Sequence, residues 1–214
     1  TFMQRAYDNV IHDVAIQGLP VVMCLDRGGL VGEDGVTHHG VFDMAAFGAV
    51  PGLTVAAPMN EPELRNMMWT GLQAGAPFMI RYPRGLGEGL PWRGLPFETL
   101  PVGRGRRLRE GRDVALVTVG TVGNAAARAA EHAAAQGVEA AHYDLRWVKP
   151  LDTELLDEVG RTFRRVITVE DGCLRGGVGE AVAAYFNARG YDAHVTCLGI
   201  GDAWVEHGTP GQLY

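Results

Sequence analysis

Residues 21–40 read VVMCL-DRGGLVGEDGVTHHG, in which five apolar residues are followed by fifteen rich in glycine and ionisable groups. A short apolar run such as residues 21–25 is typical of a buried strand in a parallel sheet. Five glycines in residues 26–40 are too many for a helix interior, so this segment is predicted to be a loop. Ligands of open parallel sheets bind outside the carboxyl ends of the strands, which makes the 26–40 loop a candidate site.

The chain on either side alternates between strand-like and helix-like segments. Phe2, Ala6, Val10 and Val14 recur at four-residue spacing and predict an amphipathic helix over residues 2–17. The remaining expected strands are 54–57, 78–81, 113–119, 138–144, 166–170 and 194–198, and the remaining expected helices are 61–73, 121–136, 152–160 and 177–189. This alternation predicts an α/β fold with parallel sheets covered on both faces.

Residues 85–105 interrupt the alternation with three prolines and seven glycines, which is typical of a linker. We therefore expect two α/β domains, residues 1–95 and residues 96–214. A run of five arginines within residues 104–112 follows the linker and is expected to be a solvated hairpin or an interdomain turn.

The composition excludes several classes of protein. A formal net charge of -6 disfavours bulk nucleic-acid binding. No apolar run approaches the roughly 18–20 residues that span a bilayer. Cys24, Cys173 and Cys197 lie far apart and lack CxxC spacing, so they predict buried free thiols in a cytoplasmic protein rather than a zinc site or disulfides. Lys149 is the only lysine.

Two strand ends carry ionisable residues. Arg27 lies in the 26–40 loop and Arg84 follows the strand predicted at 78–81, so the two guanidinium groups could clamp one phosphate. The same loop contains acidic residues and two histidines, a side chain suited to proton transfer near neutral pH. The alternative is a solvated polar loop that holds only an Asp–Arg pair.

Several segments, in order along the chain, carry a family resemblance. They are TFMQRAYDNVIHDVAIQ at residues 1–17, DRGGLVGEDGVTHHGVFD at 26–43, IRYPRG at 80–85, DLRWVKPLD at 144–152 and VEDG at 169–172. Together they resemble the 1-deoxy-D-xylulose-5-phosphate synthase family, which belongs to the transketolase-like thiamine-diphosphate enzymes. The resemblance implies a pyrimidine-binding domain, incomplete at its start, followed by a transketolase C-terminal domain.

The resemblance also implies roles for individual residues. His38 would assist proton transfer and Asp34 would hydrogen-bond the hydroxyls or the intermediate, while Arg27 and Arg84 would hold the acceptor phosphate. Two cofactor contacts are implied as well: Phe2 would pack on the aminopyrimidine ring, and Arg5 would lie near the bound intermediate. His39 stands where the family varies and receives no role.

The implied reaction decarboxylates pyruvate and joins the two-carbon unit to glyceraldehyde 3-phosphate, a step toward isoprenoid precursors, thiamine and pyridoxal. The family holds thiamine diphosphate through Mg²⁺ with a Gly-Asp-Gly motif and a later asparagine, and this motif does not occur here. We therefore expect no metal ligand in this segment. The activating glutamate should precede Thr1. The segment alone is expected to be inactive, with a missing N-terminal domain of the same enzyme as its partner and a homodimer as its assembly.

Two alternatives remain from the sequence. The β subunit of a 2-oxoacid dehydrogenase joins the same two domains in a separate chain, although residues 37–43, THHGVFD, follow the synthase more closely. Transketolase itself shares the loop up to the histidine and then departs. A non-catalytic assembly or regulatory module that keeps only the fold is the alternative from another class.

Overall fold

The computed structural model describes residues 2–214 and contains two sheets. Three strands of the first sheet are parallel: β1 (Val22–Leu25), β3 (Phe78–Arg81) and β2 (Thr54–Ala56), in that spatial order. Its fourth strand, β7 (Trp147–Lys149), comes from the second half of the chain and pairs antiparallel with β2. The first sheet is thus completed by residues far beyond the predicted linker.

The second sheet has five strands in the order β4-β6-β5-β8-β9. These strands are β4 (Arg106–Arg109), β5 (Val114–Thr118), β6 (Ala140–Asp144), β8 (Arg165–Cys173) and β9 (His194–Ile200). All pairs are parallel except β4 with β6. The predicted α/β class with two largely parallel sheets is confirmed, and each sheet adds one antiparallel edge strand, β4 or β7, that the sequence pattern did not indicate.

Six α-helices follow the irregular N-terminal segment. They are α2 (Asp43–Gly48), α3 (Glu61–Gln73), α4 (Val122–Ala135), α5 (Thr153–Thr162), α6 (Val178–Arg189) and α7 (Pro210–Leu213). Local signals set their ends. The Asn60 side chain accepts a hydrogen bond from Glu63 N at the start of α3, and Gly190 ends α6 in the left-handed conformation.

The N-terminal segment is helical but not one regular α-helix. A 3-10 turn (Phe2–Ala6) leads into a single α-helical turn, α1 (Tyr7–Asn9), and then into a π-helical stretch (Val10–Ala15). The side chains that pack against the core of the first sheet are Met3, Tyr7, Val10, Ile11, Val14 and Ala15. The expected stripe is therefore wrong at its start, because Phe2 is exposed rather than packed in the core.

The cysteines are free, but they are not uniformly buried. Cys24 is exposed, and Cys173 and Cys197 are partly exposed. The prediction of three buried thiols is wrong because β1 is the edge strand of the first sheet and Cys24 faces outward between the buried Met23 and Leu25. Among residues 2–214 there is no helix both long and apolar enough to cross a membrane.

A buried ionic network joins the two sheets next to β7. Arg146 donates to both carboxylate oxygens of Glu63 on α3, at 2.8 and 2.9 Å. Arg106 on β4 donates to Glu63 at 3.0 Å and to Asp144 at 3.1 Å. Burial raises the pKa of Asp144, which the neighbouring arginines partly oppose. One member of the predicted arginine run thus lies between the halves of the chain rather than in solvent.

Candidate active site

The 26–40 loop and Arg84 lie side by side because their parent strands are neighbours. Leu25 of β1 is in register with Arg81 of β3, so both parallel strands end at the same edge of the sheet. Tyr82 N donates to Leu25 O at 2.9 Å, and Gly28 N donates to Tyr82 O at 2.8 Å. These backbone bonds fix the loop against the segment that carries Arg84.

Arg27, Asp34 and Arg84 form a cluster on this edge. Arg84 Nη1 donates to Asp34 Oδ2 at 2.8 Å, and Arg27 Nε lies 3.8 Å from the same oxygen. Arg27 also donates to Asp26 at 2.9 Å, and its φ of 60° is in the left-handed region that non-glycine residues seldom adopt. The side chains of Arg84 and Asp34 are 48% and 32% exposed, so an anion from solvent can reach this cluster, defined hereafter as the arginine pair with Asp34.

Phe2, Arg5 and His38 form a second group. The rings of Phe2 and His38 meet edge to face, with centroids 5.2 Å apart. Arg5 Cζ lies 5.8 Å from the centre of the Phe2 ring. The Thr37 hydroxyl lies 2.9 Å from His38 Nδ1 and orients the imidazole. The structure thus brings the six predicted site residues together in two groups, both of which include a residue of the 26–40 loop.

The two adjacent histidines differ in their surroundings. His39 is 5% exposed, and its Nδ1 accepts a hydrogen bond from Val31 N at 3.1 Å. Because Nδ1 accepts, Nε2 carries the proton and faces Glu206 O at 3.4 Å. His39 therefore ties the loop to the C-terminal segment, while the partly exposed His38 faces Phe2.

A buried arginine lies beneath the neck of the loop, and sequence reasoning assigned it no role. Gly29 and Gly40 exchange two backbone hydrogen bonds of 2.9 and 2.8 Å, which close the neck. Arg81, at the end of β3, donates to Asp43 at 3.0 Å and is paired with Asp171 of β8. Burial opposes the charge on Arg81, but Asp171 and Asp43 outweigh that effect and raise the pKa of Arg81. Its place in the IRYPRG segment at a strand end was the available signal.

The second half of the chain also contacts the loop directly. The Tyr214 hydroxyl accepts a hydrogen bond from Leu30 N at 3.0 Å. Burial of that hydroxyl, followed by the negative charge of Asp171, raises the pKa of Tyr214 to about 12. Cys173 N donates to Val41 O at 2.7 Å just after the loop. Both sides of the loop are thus held by residues of the second half.

The N-terminus of α6 is occupied by a carboxylate of the protein itself. Glu170 accepts hydrogen bonds from Val178 N at 3.0 Å and Gly179 N at 2.8 Å. Burial raises the pKa of Glu170, against the effect of these two bonds. The glycines before α6 thus allow close approach to Glu170, and these amides are not available to an external anion.

A cavity of about 440 Å³ opens beside the loop, between it and the segment after β9. Its wall includes His39, Phe42, Cys173 and Trp204, and it is mainly apolar. None of the described residues that line it belongs to the six predicted site residues. We place the candidate chemistry at the strand ends, where the ionisable side chains converge, rather than in this cavity.

The residues present fit part of the cofactor that the family resemblance implies. The exposed ring of Phe2, 54% accessible, offers an aromatic face to an aminopyrimidine. Within residues 2–214 no group of three or more His, Cys, Asp or Glu side chains is arranged to hold a metal ion. The fit therefore concerns the ring of the cofactor and not its diphosphate.

Comparison with family models identifies the class of protein. The model for the transketolase pyrimidine-binding domain matches residues 1–88, and the model for the transketolase C-terminal domain matches residues 103–214. The chain belongs to the transketolase family.

Individual relatives narrow the resemblance. The chain is 55% identical to the 1-deoxy-D-xylulose-5-phosphate synthase of Bacteroides thetaiotaomicron, with 100% of this chain and 33% of that protein aligned. Identity to the synthase of Symbiobacterium thermophilum is 48%, over 99% of this chain and 32% of the relative. The resemblance inferred from the sequence is confirmed. The chain spans about a third of the length of these relatives.

A solved structure supports the same fold. The chain superposes on a structure titled "Split gene transketolase, inactive beta4 tetramer" with a TM-score of 0.82 and 29% identity. The match covers 94% of this chain and 64% of the other. The shared architecture therefore includes both sheets.

Proposed function

We propose that this chain is the pyrimidine-binding and C-terminal portion of a 1-deoxy-D-xylulose-5-phosphate synthase, with domains at residues 1–95 and 96–214. The complete protein decarboxylates pyruvate and transfers the two-carbon unit to glyceraldehyde 3-phosphate. The observation that carries the proposal is the arginine pair with Asp34, displayed at a strand edge in a chain 55% identical to a named synthase. The product serves isoprenoid precursor, thiamine and pyridoxal biosynthesis.

Arg27 and Arg84 bind the phosphate of the acceptor. Two guanidinium groups that approach one carboxylate oxygen, at 2.8 Å for Arg84 and 3.8 Å for Arg27, are spaced to share a single anion. Asp34 keeps the two cations together before the substrate arrives. When a phosphate dianion binds, Asp34 can turn to the hydroxyls of the acceptor, because the phosphate then satisfies both arginines.

His38 assists proton transfer at the reacting carbon and oxygen atoms. Its orientation is set by Thr37 on one side and by the edge of the Phe2 ring on the other. An imidazole titrates near neutral pH, so it can both accept and return a proton within one turnover. The role belongs to His38 and not to His39, whose ring nitrogens are engaged within the fold.

Phe2 and Arg5 contact the cofactor side of the site. Phe2 packs on the aminopyrimidine of thiamine diphosphate, and Arg5, near the Phe2 ring, lies beside the reacting groups. The cofactor supplies the electron sink that decarboxylation of a 2-oxoacid requires. Oxygen ligands for Mg²⁺ and the diphosphate are supplied by another part of the complete enzyme.

The partner implied by this division of labour is the missing N-terminal domain of the same enzyme, in a homodimer. Support comes from the relatives, of which this chain covers about a third, and from the structural neighbour, whose title describes an inactive β4 tetramer. We propose that the segment alone is likewise inactive. A cytoplasmic location stays a prediction from the sequence.

The phosphate clamp is tested in the complete protein by Arg27→Ala and Arg84→Ala. Losing a hydrogen bond to a charged group costs about 1.5–3 kcal/mol, so the KM for glyceraldehyde 3-phosphate should rise roughly 10- to 100-fold in each variant. Arg164→Ala is the matched control, since Arg164 also pairs with an aspartate, at 2.6 Å, but on an exposed surface. Its KM should stay that of the wild type.

The outcomes separate the candidate functions. Formation of 1-deoxy-D-xylulose 5-phosphate by the complete protein, with KM raised only in the two clamp variants, supports the synthase. Acyl transfer to a lipoyl acceptor instead would identify a 2-oxoacid dehydrogenase subunit. No carbon dioxide release from pyruvate, even with the N-terminal portion added in trans, would favour the non-catalytic module.

A further inference from the structure

Arg81 makes three contacts that reach three different segments. Its Nε donates to Asp43 Oδ2 at 3.0 Å, at the first residue of α2. Nη2 donates to the carbonyl of Gly40, at the end of the 26–40 loop, at 3.2 Å. Nη1 is paired with Asp171 in β8 of the second sheet. One guanidinium therefore joins the first sheet, the loop and the second half of the chain.

The neck of the loop rests directly on this guanidinium. A Cβ placed on Gly28 would lie 2.8 Å from Arg81 Cζ, closer than real contacts allow. On the far side of the neck, a Cβ on Gly40 would lie 2.0 Å from the carbonyl oxygen of Arg27. The glycines permit this close approach, so the loop has no room to settle differently while Arg81 is in place.

Both phosphate-clamp arginines are attached to the structure beside Arg81. Arg27 is next to Gly28 in the neck, and Arg84 follows Arg81 by three residues. The bond of 2.8 Å from Gly28 N to Tyr82 O links the two backbones. Arg81 itself is 2% exposed, which prevents it from contacting a substrate. Its influence on substrate must therefore act through Arg27 and Arg84.

Asp171 brings the second sheet into this arrangement. It is 1% exposed, and one of its oxygens accepts from Arg81. The other oxygen, Oδ2, has no hydrogen-bond partner within residues 2–214 and lies 2.3 Å from where a Cβ on Gly29 would be. A buried carboxylate oxygen left in this state is costly and persists only where the surroundings hold it rigidly. Asp171 thus holds Arg81 from the side opposite to the loop.

We propose that Arg81, held by Asp171, is a positioning residue that sets the spacing of Arg27 and Arg84 and so determines preference for a phosphorylated acceptor. The proposal rests on the proposed function, because it assigns selectivity to the same site. Displacements of about 1 Å in a binding constellation cost up to roughly 100-fold in rate. Loosening the neck should therefore affect the phosphorylated acceptor far more than an acceptor that lacks the phosphate.

The experiment uses the complete protein and measures kcat/KM for glyceraldehyde 3-phosphate and for glyceraldehyde, with pyruvate as donor. Arg81→Lys keeps the charge but cannot reach all three partners. We expect the ratio of the two kcat/KM values to fall about tenfold or more, mainly through the KM for glyceraldehyde 3-phosphate. The ratio is independent of how much of the enzyme is folded, so lower stability alone does not change it.

Two further variants make the test specific. Asp171→Asn preserves size and one acceptor oxygen, so it remains foldable if Arg81→Lys is not, and it should lower the ratio several-fold. Arg146→Lys is the matched control, because it weakens another buried arginine–carboxylate pair between the halves, at 2.8 Å, whose partner Glu63 lies on α3. It should lower the Tm while the ratio stays that of the wild type.

The results distinguish failure of the inference from failure of the function. If the wild-type complete protein converts neither acceptor, the proposed function is wrong and this inference with it. If the wild type is active and Arg81→Lys and Asp171→Asn keep its ratio, only the positioning role is overturned. A ratio that falls equally in Arg146→Lys would also overturn it, because the effect would then follow from any weakened contact between the halves.

Discussion

His142 lies on β6 with 1% of its surface exposed, and its Nε2 is 2.9 Å from the hydroxyl of Thr118. Burial, followed by repulsion from Arg106, lowers the pKa of His142 from 6.5 to about 4. Between these two pH values the unfolded chain binds a proton that the folded chain does not. Its contribution to stability is therefore complete above pH 6.5 and is lost as the pH falls toward 4.

This linkage gives a prediction for His142→Gln, which retains an acceptor for Thr118. Each unit of pKa shift corresponds to about 1.4 kcal/mol, so roughly 2–3 kcal/mol of the acid-induced loss should disappear in the variant. Thermal unfolding measured from pH 7 to pH 4 should show a flatter profile than the wild type. His132→Gln, on the exposed end of α4, is the control and should leave the profile unchanged. Equal slopes in all three proteins would contradict the assignment.

At the scale of single residues, chemistry could be foreseen only where the residue type and the strand end coincided. Arg27 and Arg84 were identified because guanidinium groups follow two strands that end at one edge. Arg81 was not, since an arginine inside an apolar strand gives no indication of which carboxylates will surround it. Those carboxylates, Asp43 and Asp171, lie 38 and 90 residues away in sequence.

The 26–40 loop behaves as an element whose shape depends on its neck. Gly29 has a φ of 77°, and a Cβ there would lie 2.3 Å from Asp171 Oδ2 and 2.7 Å from the Tyr214 hydroxyl. Gly18 has a similar φ of 63° with nothing within 4 Å of an added Cβ. The two positions therefore share the backbone strain and differ in the steric clash.

Gly18→Ala and Gly29→Ala separate these two effects. A left-handed alanine costs about 1–2 kcal/mol, which both variants should lose. Overpacking adds about 1–3 kcal/mol, which only Gly29→Ala should lose. Differential scanning calorimetry of the complete protein should show a clearly lower Tm for Gly29→Ala than for Gly18→Ala. The same Tm for both would mean that Asp171 and Tyr214 move aside easily.

Among the regular elements, those with their own boundary signals were predictable and those defined by a distant partner were not. The α3 helix was foreseen from Glu61 to Gln73, and Asn60 caps it as expected. The strands β4 and β7 carry no alternating or apolar run that marks them. Each forms because an edge of a sheet, β6 or β2, offers unpaired backbone groups to it.

The whole molecule is held together across a connection that is itself unstructured. Residues 82–105 contain no helix or strand, and most of them are exposed. The contacts that join the halves lie elsewhere, in the pairing of β2 with β7, in the Glu63–Arg146 pair and in the Arg81–Asp171 pair. Covalent continuity and structural continuity are therefore supplied by different parts of the chain.

Limited trypsin digestion should cut near Arg93 in this exposed connection without separating the halves. The nicked protein should elute from a gel-filtration column at the volume of the intact protein and resolve into fragments only in denaturant. The same digestion of Glu63→Ala, which leaves Arg106 and Arg146 without that carboxylate, is the comparison and should release fragments at lower denaturant concentration. Separation of the wild-type halves in native buffer would show that the contacts between them are weak.

The β2–β7 pairing also has a consequence for recombination between homologous genes. A crossover at the linker gives a chimaera whose first sheet is assembled from two parents, with β2 and Glu63 inherited from one and β7 and Arg146 from the other. Such offspring are viable only when the parents have kept compatible residues along this seam. Moving the crossover to just after Lys149 lets the seam pass to the offspring intact, so gene exchange in this family should respect the architecture of the sheet rather than the position of the linker.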